Sequence, residues 1–186
     1  MVVASAGDPS VAGENGSSEM STGGASSSDS GGTGGDTGSI AGAAGVAENV
    51  TDSNLSRGKP ATTDSEQSTK QHYALDGNDG DRSTRWCAAD SKLNHYWEVD
   101  LGKTYSLSAL RILWEKDAEY LFKVESSVDH SGWSVVLDKT KTNSTIANQD
   151  HMLTSGATGR YVRITVTGGI TATMWASFYE ADIFGH

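Results

Sequence analysis

The sequence predicts an all-β domain, a β-sandwich of the jelly-roll type, preceded by a disordered Gly/Ser-rich tail. Two segments, residues 120–128 and 160–166, alternate apolar and polar residues with the period of two that half-buried strands show. Glycine-containing turns separate these segments from several other short apolar runs. We find no stretch of ten or more residues with a convincing helical period, and many short strands at such spacing are typical of sandwiches and jelly rolls.

The tail, residues 1–52, differs in composition from the rest of the chain. It contains twelve of the 22 glycines, ten serines and seven acidic residues, but no basic and no aromatic residue. Such a segment cannot bury enough apolar surface to offset the entropy of ordering it. We therefore expect an acidic, disordered linker from a larger protein, with a native disordered N-terminus as the alternative. The core must lie in residues 53–186, which hold all five Trp, six Tyr and three Phe.

The domain, residues 53–186, is predicted to be a succession of strands. The six strands expected cover residues 95–101, 107–114, 120–128, 133–137, 160–166 and 175–184. Because successive side chains of a strand point to opposite faces, two groups of apolar residues should face the core. These residues are Phe122, Val124, Val128, Val162, Ile164 and Val166.

Charge and cysteine content exclude several functions. The domain carries 17 acidic and 14 basic residues, so it lacks the basic excess that nucleic-acid binding requires. Cys87 is the only cysteine, which rules out an intramolecular disulfide. No apolar run is long enough to cross a membrane as a helix, and no nucleophile elbow or catalytic zinc pattern is present.

Residues 75–86, Leu-Asp-Gly-Asn-Asp-Gly-Asp-Arg-Ser-Thr-Arg-Trp, form the most informative segment. They place three Asp, one Asn and one Thr around two glycines. Hard oxygen ligands in a tight glycine turn are what Ca²⁺ prefers, whereas zinc sites need His or Cys. The spacing is not that of an EF-hand loop, and composition alone leaves an acidic surface turn equally open.

Five motifs, in order along the chain, resemble those of the discoidin family, also called the coagulation factor V/VIII type C domain. They lie at residues 77–88 (GNDGDRSTRWCA), 96–102 (YWEVDLG), 120–129 followed by Trp133, 160–164 (RYVRI) and 175–185 (WASFYEADIFG). Ordered motifs together are a far stronger signal than any one alone. Within the family the chain looks closest to the bacterial family 32 carbohydrate-binding modules, which are appended to secreted glycoside hydrolases and polysaccharide lyases.

The resemblance implies a jelly roll with its ligand loops at one end and a structural Ca²⁺ site. The implied calcium ligands are the backbone carbonyls of Asp76 and Tyr179 and the side chains of Asp79, Asp81, Thr84 and Glu180. Such a metal would clamp the two ends of the domain in place of the disulfide common in animal members. The calcium motif of the family can be aligned to this loop in two ways, starting either at Asp76 or at Asp79. The spacing to Thr84 favours the alignment that starts at Asp79.

Sugar binding needs a flat aromatic ring and a few planar polar groups, carried on loops. Trp86, Trp97 and Trp133 are expected in the core. By resemblance, Trp175 lies where related modules often place a sugar-binding aromatic, with packing at the edge of the core as an equal alternative. The other candidates in the polar loops are Trp114, Glu115, Asp117, Tyr120, Asn94 and His95. A solvated acidic loop is the simpler alternative for Glu115 and Asp117, as simple exposure is for His95.

These observations predict a non-catalytic module, secreted or on the cell surface of a bacterium, that targets a linked carbohydrate-active enzyme to a glycan. The expected cofactor is structural Ca²⁺. The expected partners are a glycan or polysaccharide and a covalently linked catalytic module, but neither nucleic acid nor a membrane. A protein- or phospholipid-binding discoidin adhesion domain is the alternative, although this slightly acidic domain lacks loops with adjacent apolar side chains.

Overall fold

The computed structural model describes residues 51–171 and 173–186, which form nine strands and two short 3₁₀ helices, Ser68–Lys70 and Ala74–Gly77. The predicted disorder of residues 1–52 falls, apart from the last two of them, outside the described residues. In the described part of the chain, no helix has the length and apolar character needed to span a bilayer. The strands are β1 (Ser53–Asn54), β2 (Ala61–Thr63), β3 (Trp86–Cys87), β4 (Tyr96–Trp114), β5 (Leu121–Ser127), β6 (Ser134–Lys139), β7 (Asn148–Met152), β8 (Thr158–Gly168) and β9 (Ser177–Gly185).

Strand β4 belongs to both sheets of the sandwich and joins them. Its first half, residues 96–106, pairs with β2 and β8, and β8 continues to β5 and β6. Its second half, residues 107–114, pairs with β7 and β9, and β9 continues to β1 and β3. All these pairings are antiparallel. The predicted all-β sandwich is therefore confirmed.

The bend in β4 brings its two ends to the same end of the sandwich. A register shift between Asp100 and Tyr105 marks the corner at which the strand leaves one sheet and enters the other. Tyr96 pairs with Thr165, near the end of β8, and Trp114 pairs with Phe178, near the start of β9. The segments that precede and follow β4 consequently lie on either side of the β8–β9 connection.

Most of the predicted core positions are confirmed. Residues Phe122, Val124, Val162, Ile164 and Val166 are fully buried, as the alternation requires. The aromatic part of the core is built around Phe178, whose ring lies 5.1 Å from Trp86, 5.5 Å from Trp97 and 6.0 Å from Trp114. These tilted and edge-to-face contacts hold β3, β4 and β9 together.

Two core predictions are wrong. Val128 is 53% exposed, because β5 ends at Ser127 and the chain turns before Val128 can continue the inward face. Trp133 is half-buried and precedes β6, and the Arg163 guanidinium covers its ring at 4.1 Å. This cation–π contact lies on the outer face of the sheet rather than between the sheets.

Candidate functional site

An open cleft of about 190 Å³ lies at the end of the sandwich where both ends of β4 meet the β8–β9 connection. Three connections contribute to it, together with Cys87 of β3: the β2–β3 connection before and after its 3₁₀ helices, the start of the β4–β5 connection, and the end of the β8–β9 connection. The described residues that line it are Gln67, Arg85, Cys87, Glu115, Lys116, Thr173 and Trp175.

Packing of the neighbouring residues fixes the position of this lining. The amide of Glu115 donates to the Ser177 carbonyl at 3.2 Å, and the amide of Gln67 donates to the Cys87 carbonyl at 2.8 Å. The cleft is thus tied to the strands by backbone bonds on both sides. Four lining residues also directly neighbour a fully buried one: Arg85 and Cys87 flank Trp86, Glu115 follows Trp114, and Trp175 precedes Ala176.

Arg85 and Glu115 form the polar centre of the cleft. The Arg85 Nη2 atom lies 3.5 Å from Glu115 Oε1, and both side chains keep about a quarter or less of their surface exposed. A guanidinium beside a carboxylate offers donors and an acceptor next to one another. Because a sugar hydroxyl both donates and accepts, neighbouring hydroxyls can bind to such a pair. The half-buried indole of Trp175 supplies an apolar surface in the same cleft.

The predictions for Trp114 and Tyr120 as ligand-contacting residues are wrong. Both side chains are fully buried, and their rings stack on each other at 4.3 Å with an angle of 7° between the planes. Trp114 shares its strand face with Leu110 and Ile112, and Tyr120 shares its face with Phe122, so the alternation directs both rings into the core. Neither ring offers a face to a ligand.

Asn94 and Asp117 are also placed outside the cleft lining. Asn94 is exposed and has a positive φ of 70°, a conformation that Asn adopts more readily than most residues, so its role is to form the turn before β4. The Asp117 carboxylate accepts a 2.8 Å hydrogen bond from the amide of Ala147, which joins the β4–β5 and β6–β7 connections. Of the predicted sugar-site residues, the structure brings together only Glu115 and Trp175.

His95 is buried and forms an ionic clamp instead of contacting the cleft. Its Nδ1 lies 2.8 Å from Asp64 Oδ2 and its Nε2 lies 2.8 Å from Asp90 Oδ1. Burial opposes the charge of the ring, but the hydrogen bonds to Asp90 and Asp64 outweigh it and raise the pKa of His95. The prediction of His95 as a sugar ligand is wrong, because both ring nitrogens are already engaged.

The clamp predicts a pH dependence of stability. A pKa raised in the folded state gives stabilisation that is complete below the unfolded value of about 6.5 and is lost as the pH rises through the folded pKa. The free energy of unfolding should therefore fall as the pH rises above about 6.5, until His95 loses its proton in the folded state as well. His95→Asn should cost about 1.5–3 kcal/mol at pH 6 and remove this decline. Urea unfolding across this range measures both, with His186→Gln as the control; an unchanged slope in His95→Asn would contradict the prediction.

The segment predicted to bind calcium is folded against β9. The amide of Gly80 donates to Glu180 Oε1 at 2.7 Å, which joins the loop to the last strand. Thr84 Oγ1 lies 2.8 Å from Asp79 Oδ2 and 2.9 Å from the Asp81 carbonyl oxygen. The loop therefore presents carboxylate, hydroxyl and carbonyl oxygens close to one another, which is the donor chemistry of a Ca²⁺ site.

Glu180, on β9, is the predicted calcium ligand that fits a cation most clearly. It is buried, and its Oε2 has no hydrogen-bond partner among the described residues. Burial raises the pKa of Glu180 to about 7, with the nearby charges of Asp182 and Asp79 adding to the effect, while the Gly80 amide and Arg57 oppose it. An unpaired buried carboxylate oxygen is costly, and a hard cation would satisfy it.

Of the remaining predicted calcium ligands, Asp81 has other side-chain partners, whereas Asp76 and Tyr179 are predicted to bind only through their backbone carbonyls, a role that stays a prediction. The Asp76 carboxylate accepts a 2.8 Å bond from the Tyr73 amide, and Asp81 Oδ1 accepts bonds from the amide and hydroxyl of Ser83. Tyr179 is half-buried on β9. Within residues 51–171 and 173–186, no group of three or more His, Cys, Asp or Glu side chains is arranged to hold a metal. A cation here would need backbone carbonyls, so the calcium site stays a prediction.

Arg85 is the main residue of the candidate site that the sequence analysis missed. It stands between the calcium-type loop and Trp86, and its partner Glu115 lies 30 positions further along the chain. The sequence carries a weak signal for Arg85, because a charged residue directly before a core tryptophan must direct its side chain toward solvent at the start of the short strand β3. Gln67, Lys116 and Thr173 carry no such signal in a polar loop sequence.

Residues 59–181 match the family model described as the F5/8 type C domain. No curated protein matches the chain. Among solved structures, chitosan-binding module 2 of a chitosanase/glucanase from Paenibacillus sp. IK-5, in complex with chitotriose, is 28% identical; the match covers 71% of this chain and 100% of that one, with a TM-score of 0.63.

Two further structures share the fold. A CBM32 module produced by Clostridium perfringens, in complex with GlcNAc-α-1,4-galactose, is 20% identical over 73% of this chain and 96% of that one, with a TM-score of 0.60. The CBM32 module of AlyQ, in complex with 4,5-unsaturated mannuronic acid, is 25% identical over 67% of this chain and 93% of that one, with a TM-score of 0.58. These similarities agree with the two-sheet architecture described above.

Proposed function

We propose, since this chain belongs to the F5/8 type C domain (discoidin) family, that it is a non-catalytic carbohydrate-binding module. Its ligand is a glycan or polysaccharide held in the cleft at the end of the sandwich. We also propose that the module is secreted and holds a covalently linked carbohydrate-active enzyme close to that glycan.

The observation that carries the proposal is the position of Trp175 in the same cleft as the Arg85–Glu115 ion pair. An indole face packs against the apolar face of a pyranose ring, while the ion pair can bond to the hydroxyls at its edge. Similar solved modules bind chitotriose and GlcNAc-α-1,4-galactose in the complexes described above. These ligands are short sugars, which suits the small cleft of this chain.

The size of the cleft indicates a short ligand and weak binding. Its volume of about 190 Å³ is below the roughly 300–1,000 Å³ of pockets that enclose a drug-sized ligand. One or two sugar residues, such as a chain end, are therefore the expected ligand. Weak binding at a single site is still useful when a linker joins it to an enzyme, because the linker raises the effective concentration of substrate.

A calorimetric panel tests the proposal directly. The ligands are chitotriose, GlcNAc-α-1,4-galactose, 4,5-unsaturated mannuronic acid and galactose, each with the calcium-loaded chain and with a chromogenic glycoside assay in parallel. Binding of at least one sugar without any turnover supports the proposal. Turnover would make the chain an enzyme. A folded protein that binds no sugar would favour the alternative, a protein- or phospholipid-binding discoidin domain.

We also propose a structural Ca²⁺ ion between the loop of residues 76–84 and β9. Glu180, Asp79 and Thr84 would hold it with backbone carbonyls, and the ion would supply the positive charge that the buried Glu180 carboxylate lacks. Because the two segments are about 100 residues apart in sequence, an ion that binds only the folded state would stabilise the whole domain.

Calcium should raise the stability of the protein through Glu180. At a free Ca²⁺ concentration 100 times the dissociation constant, the gain is about 2.7 kcal/mol, which EDTA should remove. Glu180→Gln keeps an oxygen that can accept the Gly80 amide but lacks the charge, so it should abolish the calcium effect. Asp182→Asn is the control, a neighbouring acid on β9 that should keep it. Thermal unfolding with and without Ca²⁺ measures the shift, and equal shifts in both variants would refute the assignment.

A further inference from the structure

The charged side chains that line the cleft do not balance. The described lining contains two cations, Arg85 and Lys116, but only one carboxylate, that of Glu115. The thiol of Cys87, which also lines the cleft, stays neutral because burial raises its pKa. The cleft therefore carries a local excess of positive charge, in a domain whose net charge is negative.

Lys116 is the cation of the cleft that has no counter-charge. Among the described residues no carboxylate forms an ion pair with it, whereas Arg85 faces Glu115. The other two acids of its own connection, Asp117 and Glu119, accept hydrogen bonds of 2.8 and 3.0 Å from backbone amides of the β6–β7 connection. Their carboxylates are therefore engaged outside the cleft and do not offset the charge of Lys116.

The Arg85–Glu115 ion pair is loose. Its separation of 3.5 Å exceeds the roughly 2.7–2.9 Å of a charge-assisted hydrogen bond between such groups. A guanidinium has several N–H donors in one plane, so a pair of this kind leaves donors for another acceptor. Because about a quarter of the Arg85 side chain is exposed, an acceptor in the cleft can reach it.

We propose that the cleft selects an acidic sugar, a uronic acid whose carboxylate binds between Lys116 and Arg85. The inference rests on the proposed sugar-binding function and names the class of sugar. The Lys116 ammonium stands on a flexible stem and can move to an anion in the cleft, while the planar guanidinium matches the geometry of a carboxylate. An amino sugar would instead bring a further positive charge close to Lys116.

The charge of the whole domain indicates a single acidic sugar rather than a densely charged chain. Residues 53–186 include 17 acidic and 14 basic residues, so a polyanion that extends beyond the cleft meets a surface of net negative charge. The cleft itself, with about 190 Å³, holds only one or two sugar residues. The expected ligand is therefore one uronic acid in an otherwise neutral glycan.

Two matched series of sugars test this selectivity. Galacturonic acid, galactose and galactosamine are negative, neutral and positive at about pH 6, as are glucuronic acid, glucose and glucosamine. NMR titration of the full chain measures the dissociation constant of each sugar. In at least one series the uronic acid should bind about fivefold more tightly than the neutral sugar, and the amino sugar most weakly, as one partly exposed ion pair provides. Sodium chloride at about 1 M should remove the preference.

Lys116→Gln tests the residue assignment. It removes the charge but keeps a polar side chain, so the affinities for the uronic acid and the neutral sugar should come within about twofold of each other. Lys103→Gln is the matched control, because it makes the same change of charge at an exposed position in the corner of β4, away from the cleft. This control should keep the preference. A preference that survives in Lys116→Gln, or that both variants lose equally, would overturn the inference.

The outcomes in the unchanged protein separate this inference from the proposed function. Equal affinity for the three members of a series refutes selection by charge, while the sugar-binding function stands. Tightest binding of an amino sugar also refutes it and would make Glu115 the dominant charged group. If neither series binds and the calorimetric panel gives no binding either, the proposed function fails and the inference fails with it.

Discussion

Replacing Trp175 by Ala is expected to weaken glycan binding about 30-fold while leaving the domain folded. The side chain is half-buried at the cleft, outside the aromatic cluster around Phe178. A sugar packed against the indole buries apolar surface worth about 2 kcal/mol, which corresponds to a factor of about 30 in affinity. Calorimetry with whichever sugar of the calorimetric panel binds measures the loss of affinity, and circular dichroism checks that the variant is folded.

Trp133→Ala is the matched control for this prediction. Trp133 is the other half-buried tryptophan, but it covers Arg163 on the outer face of the sheet. Its removal should cost some stability and leave the affinity within about twofold. Equal losses of affinity in the two variants would show that binding depends on general stability rather than on the cleft.

Replacing Gly169 by Ala should damage both the fold and the cleft. Gly169 has a φ of +74°, and a Cβ there would overlap the carbonyl oxygen of Glu119. The left-handed conformation alone costs an L-residue about 1–2 kcal/mol. The overlap is with backbone, so the β8–β9 connection, which carries Trp175, must also move away from the β4–β5 connection. We expect a total loss of at least about 3 kcal/mol and a clear loss of sugar affinity.

Gly156→Ala separates the two effects. Gly156 has nearly the same φ, +77°, but a Cβ there meets no atom within 4 Å. In this variant the free energy of unfolding should fall only by the cost of the left-handed backbone conformation, about 1–2 kcal/mol, and sugar binding should be normal. Urea unfolding and calorimetry on both variants provide the comparison. Similar losses of stability would mean that the close approach at Gly169 is not what fixes the connection.

The strands were predictable because burial on one face imposes a period of two. The same rule places Trp114 and Tyr120 in the core, because each lies two positions from a buried residue, Ile112 and Phe122 respectively, and so faces the same side as that residue. Their positions at the ends of a polar segment suggested a loop instead. The strand alternation was the stronger constraint, because a fully buried ring gains more free energy than an exposed one.

Other features depended on contacts that are distant in sequence. The sequence predicts two strands, residues 95–101 and 107–114, whereas the structure has the single strand β4, which bends between Asp100 and Tyr105 and continues in the second sheet. Strand β7, with the polar sequence NQDHM, was missed because four of its five residues are exposed or only partly buried. An edge strand needs fewer apolar residues than a central one, so its pattern is weak.

The candidate site was predictable only in part for the same reason. Glu115 and Trp175 could be chosen because polar loops and a loop tryptophan are ordinary features of binding faces. Arg85 becomes recognisable only when the fold brings it to 3.5 Å from Glu115. The clamp of His95 between Asp64 and Asp90 is likewise invisible in sequence, because it joins the β3–β4 connection, which carries Asp90 and His95, to Asp64 in the β2–β3 connection.

The most direct test of the central claim is a ¹H–¹⁵N NMR titration of the folded chain, in a buffer that contains Ca²⁺, with chitotriose and GlcNAc-α-1,4-galactose. The account predicts saturable shifts at the Trp175 indole N–H, the Arg85 side chain and the amides of residues 115–116. It predicts no shifts in a second cleft among the described residues, which residues 126–128, 134–136 and 154–158 line, with Gly132, at the far end of β5. Saturable shifts in that second cleft alone, or none with any sugar of the panel, would contradict the account.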